Sequence, residues 1–163
     1  LGIERLRAAV TRPLEGLKVA CYYGCLLTRP PKVMGFDDPE HPTIMDRVLA
    51  ACGAETVDWP GKVECCGANL SLTRSDIVVS LVDRLLDQAK RAGADVVAVA
   101  CPLCQANLDV RQTDVPAQTG HRYDLPAVYF TQLVGLALGA GAAELGLDKA
   151  FVDSRPTLAR WLS

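Results

Sequence analysis

The stretch Asp95-Val96-Val97-Ala98-Val99-Ala100 constrains the fold more than any other part of this chain. It is β-branched and apolar on both faces, and a strand without a polar side must be covered above and below, as happens inside a parallel sheet. Three more short runs, 17–21, 55–59 and 127–130, read as strands, the second leading into a Pro60-Gly61 turn. Helical patterns lie between them. From Thr43, which reads as a helix start, Ile44, Met45, Val48 and Leu49 recur at helical spacing, and Gly53 stands where that helix would stop. Ile77, Leu81, Leu85 and Ala89 line one face of an amphipathic helix with Val78, Val82 and Leu86 beside them, Ser75 reading as its cap and Gly93 as its end. Residues 102–112, opening on a proline, and 131–138 supply two further helices, while 29–42 and 113–123 read as loops.

The order β, α, β, α, β, α, β, α predicts a single α/β domain, a short parallel sheet flanked by helices in a Rossmann-like arrangement. A length of 163 residues suits one such core. The expected organisation is an N-terminal helical segment over 1–16, a cysteine-rich domain over 17–139, and a C-terminal helical extension over 140–163 that decorates the core or faces a partner.

With 17 basic and 19 acidic residues and no block of like charge, nothing marks nucleic acid or an anionic membrane as a partner. The apolar runs 96–100 and 133–140 are far short of the roughly 20 residues that span a bilayer, so no membrane span is expected. Residues 1–10 carry scattered charges and no signal-peptide core, which points to the cytoplasm. Thiols stay reduced there, so seven cysteines read as metal-binding or redox-active sooner than as a disulfide scaffold.

On this strand assignment Cys21 and Cys25 follow the first strand, Cys65 and Cys66 the second, and Cys101 and Cys104 the third. Ligands of open α/β sheets bind beyond the carboxyl ends of the strands, so six cysteines scattered over more than eighty positions are expected at one edge. Cys52, late in its helix among alanines, reads as a packed core residue. Thiolates are soft ligands that select zinc, copper(I) or iron–sulfur clusters. The pairs Cys65-Cys66 and Cys101-x-x-Cys104 can each place two sulfurs on one metal unit, Gly24 and Gly67 allow close backbone approach, and helix starts after Cys66 and Cys101 would aim N–H groups at it. Cys21 is a candidate sixth thiol. Two alternatives stay open: a zinc-stabilised binding module holding four of these cysteines, and a metal-free dithiol oxidoreductase using Cys101 and Cys104. Asn69 and Arg74 are candidate donors to a cluster or substrate, with helix capping or solvation as the plainer account. His41 and His121 read as solvated surface residues, and Tyr22 and Tyr23 as cleft lining or packing beside the strand end.

Four separated motifs, in order, resemble the CCG-domain (cysteine-rich) family, and within it the B-type subunits of heterodisulfide reductase. They are Tyr22-Tyr23-Gly24-Cys25-Leu26-Leu27-Thr28-Arg29-Pro30, Cys65-Cys66-Gly67-Ala68, Cys101-Pro102-Leu103-Cys104 and Thr131-Gln132-Leu133-Val134-Gly135. The resemblance runs from about Lys18 to Gly139. It makes 17–139 a CCG domain, with 39 residues between Cys25 and Cys65 and 34 between Cys66 and Cys101, the second gap slightly shorter than the family pattern. It implies that Cys25, Cys65, Cys66, Cys101 and Cys104 bind a [4Fe-4S] cluster of the noncubane type, oxygen-sensitive enough to be absent from an aerobic preparation.

The resemblance further implies an oxidoreductase in which a substrate disulfide lies between two clusters and electrons arrive singly. The implied partners are a ferredoxin-like iron–sulfur subunit, a flavin subunit and a second CCG domain. One copy of the motif set is present, which matches the C-terminal half of the B-type subunit, and the expectation is either a separate domain or a single-domain relative, inactive as an isolated half.

Overall fold

The computed structural model describes residues 2–35 and 37–162. Leu1, Phe36 and Ser163, which belong to the expected segment 1–16, loop 29–42 and extension 140–163, lie outside the described residues. The elements follow in the order α1 (Ile3–Ala9), β1 (Lys18–Tyr22), α2 (Pro31–Met34), α3 (Ile44–Ala51), β2 (Glu55–Thr56), α4 (Ser75–Arg91), β3 (Val96–Val99), α5 (Pro102–Val110), α6 (Val115–Thr119), β4 (Ala127–Tyr129), α7 (Phe130–Ala137) and α8 (Arg155–Leu158). The four strands form one parallel sheet in the order β2-β1-β3-β4. Central β1 and β3 pair from Val19↔Val96 to Tyr22↔Val99. The expected α/β fold with a parallel sheet between helices is the one found.

Alternation along the strands divides the interior into two layers. Val19, Cys21, Tyr23, Val96 and Ala98 face one layer, filled by Met45 and Leu49 of α3 and Leu133 and Leu136 of α7. Ala20, Tyr22, Val97 and Val99 face the other, filled by Val78, Val82, Leu85 and Leu86 of α4 and by Leu108 of α5. Every residue of β3 is at most 1% exposed, as its uninterrupted apolar sequence requires.

Several local expectations are corrected. The second strand is two residues long instead of five, because Trp59 turns away to donate its indole N–H to the Cys21 carbonyl at 3.1 Å. Ser75 is the first helical residue of α4 and not its cap; Arg74 precedes the helix and pairs with Asp76 at 2.7 Å. Thr43 does stand at the start of α3 as expected, and the carboxylate of Asp37 accepts from the Ile44 amide there at 2.8 Å. The two expected loops each hold a short helix, α2 and α6, both opening with a proline in the first turn, where the missing N–H costs nothing.

The extension 140–163 is only partly helical, and it folds back onto the first layer, where Leu147, Leu158 and Trp161 are buried. Asp109 of α5 holds it from one side, accepting from the Phe151 and Val152 amides at 2.9 Å each. On the other side the Trp161 indole donates to Pro13 at 2.9 Å and Arg12 donates to the Trp161 carbonyl at 2.6 Å. Trp161→Ala is therefore expected to cost about 3 kcal/mol, the low end for emptying a buried tryptophan site. Urea unfolding measures it, and a loss within about 0.5 kcal/mol, the range of neutral surface changes, would show that the tail is not part of the core.

Candidate metal centre

The strand order places a crevice between the carboxyl ends of β1 and β3, where successive connections leave to opposite faces. Cys25 follows β1 in the turn 24–28, and Cys101 and Cys104 sit at the start of α5 directly after β3. Cys65 and Cys66 lie in the loop between two 3-10 turns after β2. That loop is tied to the β1 exit by three bonds: the Lys62 carbonyl accepts from the amides of Tyr23 at 2.9 Å and Gly24 at 3.2 Å, and the Tyr22 hydroxyl donates to the Glu64 carbonyl at 2.7 Å.

The thiols are brought together in pairs. Cys66 and Cys104 share a hydrogen bond with their sulfurs 3.6 Å apart. That bond draws Cys66 down to about 6 and, together with burial, holds Cys104 far above the usual thiol range. Cys101 adds to the upward push on Cys104. Burial first, and then the charge of Cys65 and a hydrogen bond with it, raises Cys25. The set therefore runs from buried Cys66 and Cys104, through half-buried Cys25 and Cys101, to exposed Cys65.

Two glycines keep the space open. A Cβ on Gly24 would stand 3.2 Å from the Cys104 sulfur, and one on Gly67 would meet Leu81 at 2.8 Å; both have positive φ, at +61° and +75°, which glycine adopts without strain. The Gly67 amide donates to the Cys65 sulfur at 3.3 Å. Leu26, beside Cys25, and Leu103, between Cys101 and Cys104, are more than half exposed and give the rim an apolar character.

Cys21 lies within β1 instead of after it and faces the first layer, whereas Cys66 and Cys104 face the second. Burial, with Asp46 nearby, pushes its thiol far up. Cys52 is fully buried beside α3, in the first layer. Asn69 is exposed, Arg74 is engaged with Asp76, and His41 is exposed in its loop. His121 pairs with Asp83 at 3.0 Å. Among the described residues no three His, Cys, Asp or Glu side chains close on a single metal ion as they stand.

Sequence reasoning passed over Asn107. It is buried, donates to the Cys66 carbonyl at 2.9 Å and accepts from Ser71 at 2.7 Å, fixing the inner cysteine from behind. Its position three residues after Cys104, on the same side of a helix, was the available signal. Tyr23, read as cleft lining or packing, donates to Asp46 at 2.6 Å and accepts from the Met45 amide at 2.7 Å. Asp46 in turn pairs with Lys62 at 2.9 Å.

A parallel sheet that presents five cysteines at its carboxyl edge defines a cysteine-rich α/β domain with a multi-thiol site. The chain belongs to the CCG cysteine-rich domain family, whose pattern matches residues 19–109. It is 36% identical over 161 residues to the B-type subunit of ferredoxin:CoB-CoM heterodisulfide reductase of Methanosarcina mazei, covering 98% of this chain and 53% of that protein. It is 35% identical over 152 residues to the 8-methylmenaquinol:fumarate reductase membrane anchor subunit of Wolinella succinogenes, covering 93% and 54%. The B-type subunit of a ferredoxin/F(420)H(2)-dependent CoB-CoM heterodisulfide reductase of Methanosarcina acetivorans is 36% identical over 162 residues, covering 98% and 54%. The chain thus spans about half the length of the curated relatives it matches. Among its described residues no helix is long and apolar enough to cross a membrane.

Exposure sets an order of thiol reactivity. In the reduced, metal-free protein, alkylation followed by peptide mapping should modify Cys65 first and Cys21 and Cys52 at least about tenfold more slowly, since a buried thiol reacts only after local opening. Labelling of Cys21 as fast as that of Cys65 would contradict its place in the sheet.

Proposed function

We propose that this chain is the cysteine-rich half of an oxidoreductase subunit like the B-type subunit of heterodisulfide reductase, and that Cys25, Cys65, Cys66, Cys101 and Cys104 hold a [4Fe-4S] cluster. The observation that supports the reading is the meeting of Cys66 and Cys104 from two separate strand exits, with their sulfurs 3.6 Å apart. Two sulfurs bound to one tetrahedral metal at about 2.3 Å stand about 3.8 Å from each other, so this pair is already near bonding separation. Of the three other sulfurs, Cys25 lies against Cys65 and Cys101 against Cys104, a chain of neighbours that a unit of several irons would use. The donor set is all sulfur, the type that suits iron–sulfur clusters.

Bound there, the cluster would supply one-electron transfer and a soft metal site for a substrate sulfur. The chain's residues do the rest. Gly24 and Gly67 leave room where a side chain would intrude. Pro102 opens α5 directly after Cys101 and sets Cys101 and Cys104 at its first turn. Exposed Cys65, with the leucine-lined rim, marks the side from which a disulfide-type or related substrate arrives. The names carried by the relatives, all of them reductase subunits and two of them ferredoxin-linked, support a place in a multi-subunit reductase; the iron–sulfur and flavin partners and the second cysteine-rich domain are what the family resemblance implies.

Anaerobic reconstitution should give about four iron and four sulfide per chain, the content of a [4Fe-4S] cluster, with a paramagnetic signal in one oxidation state. Cys65→Ser and Cys66→Ser should abolish uptake, because serine replaces a soft thiolate with a hard, poorly ionised hydroxyl. Cys52→Ser should keep it, with circular dichroism reporting the fold in each case. One zinc per chain without sulfide would instead establish a structural zinc module, and iron lost from the Cys52 variant but kept in the other two would overturn the ligand set.

A further inference from the structure

The side of α5 that carries Cys104 also carries Asn107, three residues on, and Arg111 follows at the end of the helix, seven residues on. All three reach the segment 66–71. The Cys104 sulfur meets the Cys66 sulfur at 3.6 Å. The Asn107 amide N–H donates to the Cys66 carbonyl at 2.9 Å, while its oxygen accepts from the Ser71 hydroxyl at 2.7 Å. Arg111 donates to the Ser71 carbonyl at 2.9 Å and pairs with Asp114. Asn107 therefore ties both ends of one turn, which is closed inside by the Leu70 amide donating to the Gly67 carbonyl at 2.8 Å. A backbone carbonyl only accepts, so the orientation of the amide is fixed by its partner. Asn107 is 5% exposed, which keeps water from competing for either bond. The same turn presents the Gly67 amide to the Cys65 sulfur at 3.3 Å, so both cysteines of the adjacent pair hang on it.

Resting on the cluster site proposed above, we infer that Asn107 is a positioning residue for that site: by clamping the turn 66–71 onto α5 it sets the Cys66 sulfur against that of Cys104, and metal affinity depends on the clamp. Cys66 and Cys104 come from different strand exits, and nothing in the chain between them fixes their separation. A side chain one turn from Cys104 that grips the main chain of Cys66 does so directly. Groups that orient metal ligands without touching the metal act in this way, and their loss costs affinity by about 10–100-fold. The amide is suited to the task because it donates and accepts at once from a short stem, which leucine of similar size does not.

The test reads the thiols apart from the cluster. Cobalt(II) is titrated anaerobically into the reduced, metal-free protein, and thiolate-to-cobalt absorption gives the affinity. Asn107→Leu keeps the bulk and removes both bonds; it should bind cobalt about 10–100-fold more weakly. Trp161→Ala, which disturbs the opposite layer, should bind as wild type even though it lowers stability, and urea unfolding of each variant supplies the comparison. Where Asn107→Leu fails to fold, Ser71→Ala decides: it frees only the outer end of the amide and should weaken binding by a smaller factor, and wild-type affinity in it would overturn the role. An equal loss in Trp161→Ala and Asn107→Leu would reduce Asn107 to a structural residue, and unchanged affinity in Cys66→Ser would leave it no metal ligand to position; either result overturns the inference. Weakened cobalt binding in Asn107→Leu, with no iron and sulfide taken up by wild type, would overturn the cluster and leave Asn107 positioning a metal–thiolate pair. Wild-type cobalt affinity in Asn107→Leu, with iron and sulfide taken up, would overturn the role of Asn107 and leave the cluster standing.

Discussion

The parallel pairing of β1 with β3 is the constraint on which the rest of the molecule depends. Because the two strands run the same way side by side, both release the chain at one edge, with Tyr22 opposite Val99 as the last paired residues. The strand before and the strand after lie on the outside, so the connections leave in opposite directions and a crevice is left between them. A parallel sheet is stable only with both faces covered. The two apolar layers that cover it also fix the helices whose ends border that crevice. Moving β1 by one residue would exchange Tyr22 with Cys21 or Tyr23 between layers and carry Cys25 away from the other thiols.

What the sequence made legible follows from how local the signal is. The buried strand 96–99 and the amphipathic helix Ser75–Arg91 were readable because their periodicity is written in consecutive residues. The grouping of cysteines was readable because three of the four strands are followed by cysteine-bearing turns, and topology turns that into proximity. The place of Cys21 was not, since the strand was read as ending at residue 21 and in fact runs one residue further, to Tyr22. The helices inside the expected loops were hidden because proline and polar residues, which read as loop, also suit the first turn of a helix. Asp37, Asn107 and Asp109 act on backbone groups that are distant in sequence or brought close only by folding, and no spacing rule announces such bonds.

The electrostatics of the site turn on crowding. The thiols crowd together with buried Tyr22 in one layer, and an ionised sulfur opposes the ionisation of its neighbour; the hydrogen bond between Cys66 and Cys104 lowers the first thiol and raises the second. Away from the rim there is a second polar knot, in which Tyr23, Asp46 and Lys62 saturate one another. The two knots meet through the backbone, where the Lys62 carbonyl takes the amides of Tyr23 and Gly24. The half-buried salt bridge and the thiol edge are thus parts of one support, and the loop that carries Cys65 and Cys66 is held from below by charge and from the side by the Tyr22 hydroxyl.

The separation of the cysteine edge from the two apolar layers bears on how such a site is filled. The sulfurs come from three turns spread from residue 25 to residue 104, so the three groups do not meet until β1 and β3 have paired. The layers that drive this pairing are mainly aliphatic and aromatic; of the five edge cysteines, Cys66 and Cys104 belong to them and Cys101 packs against them. A small zinc finger needs its metal in order to fold; this domain has two apolar layers, apart from its cysteine edge, to drive folding. One edge sulfur faces outward and two lie deep inside, so anything delivered to that edge meets Cys65 before Cys66 and Cys104.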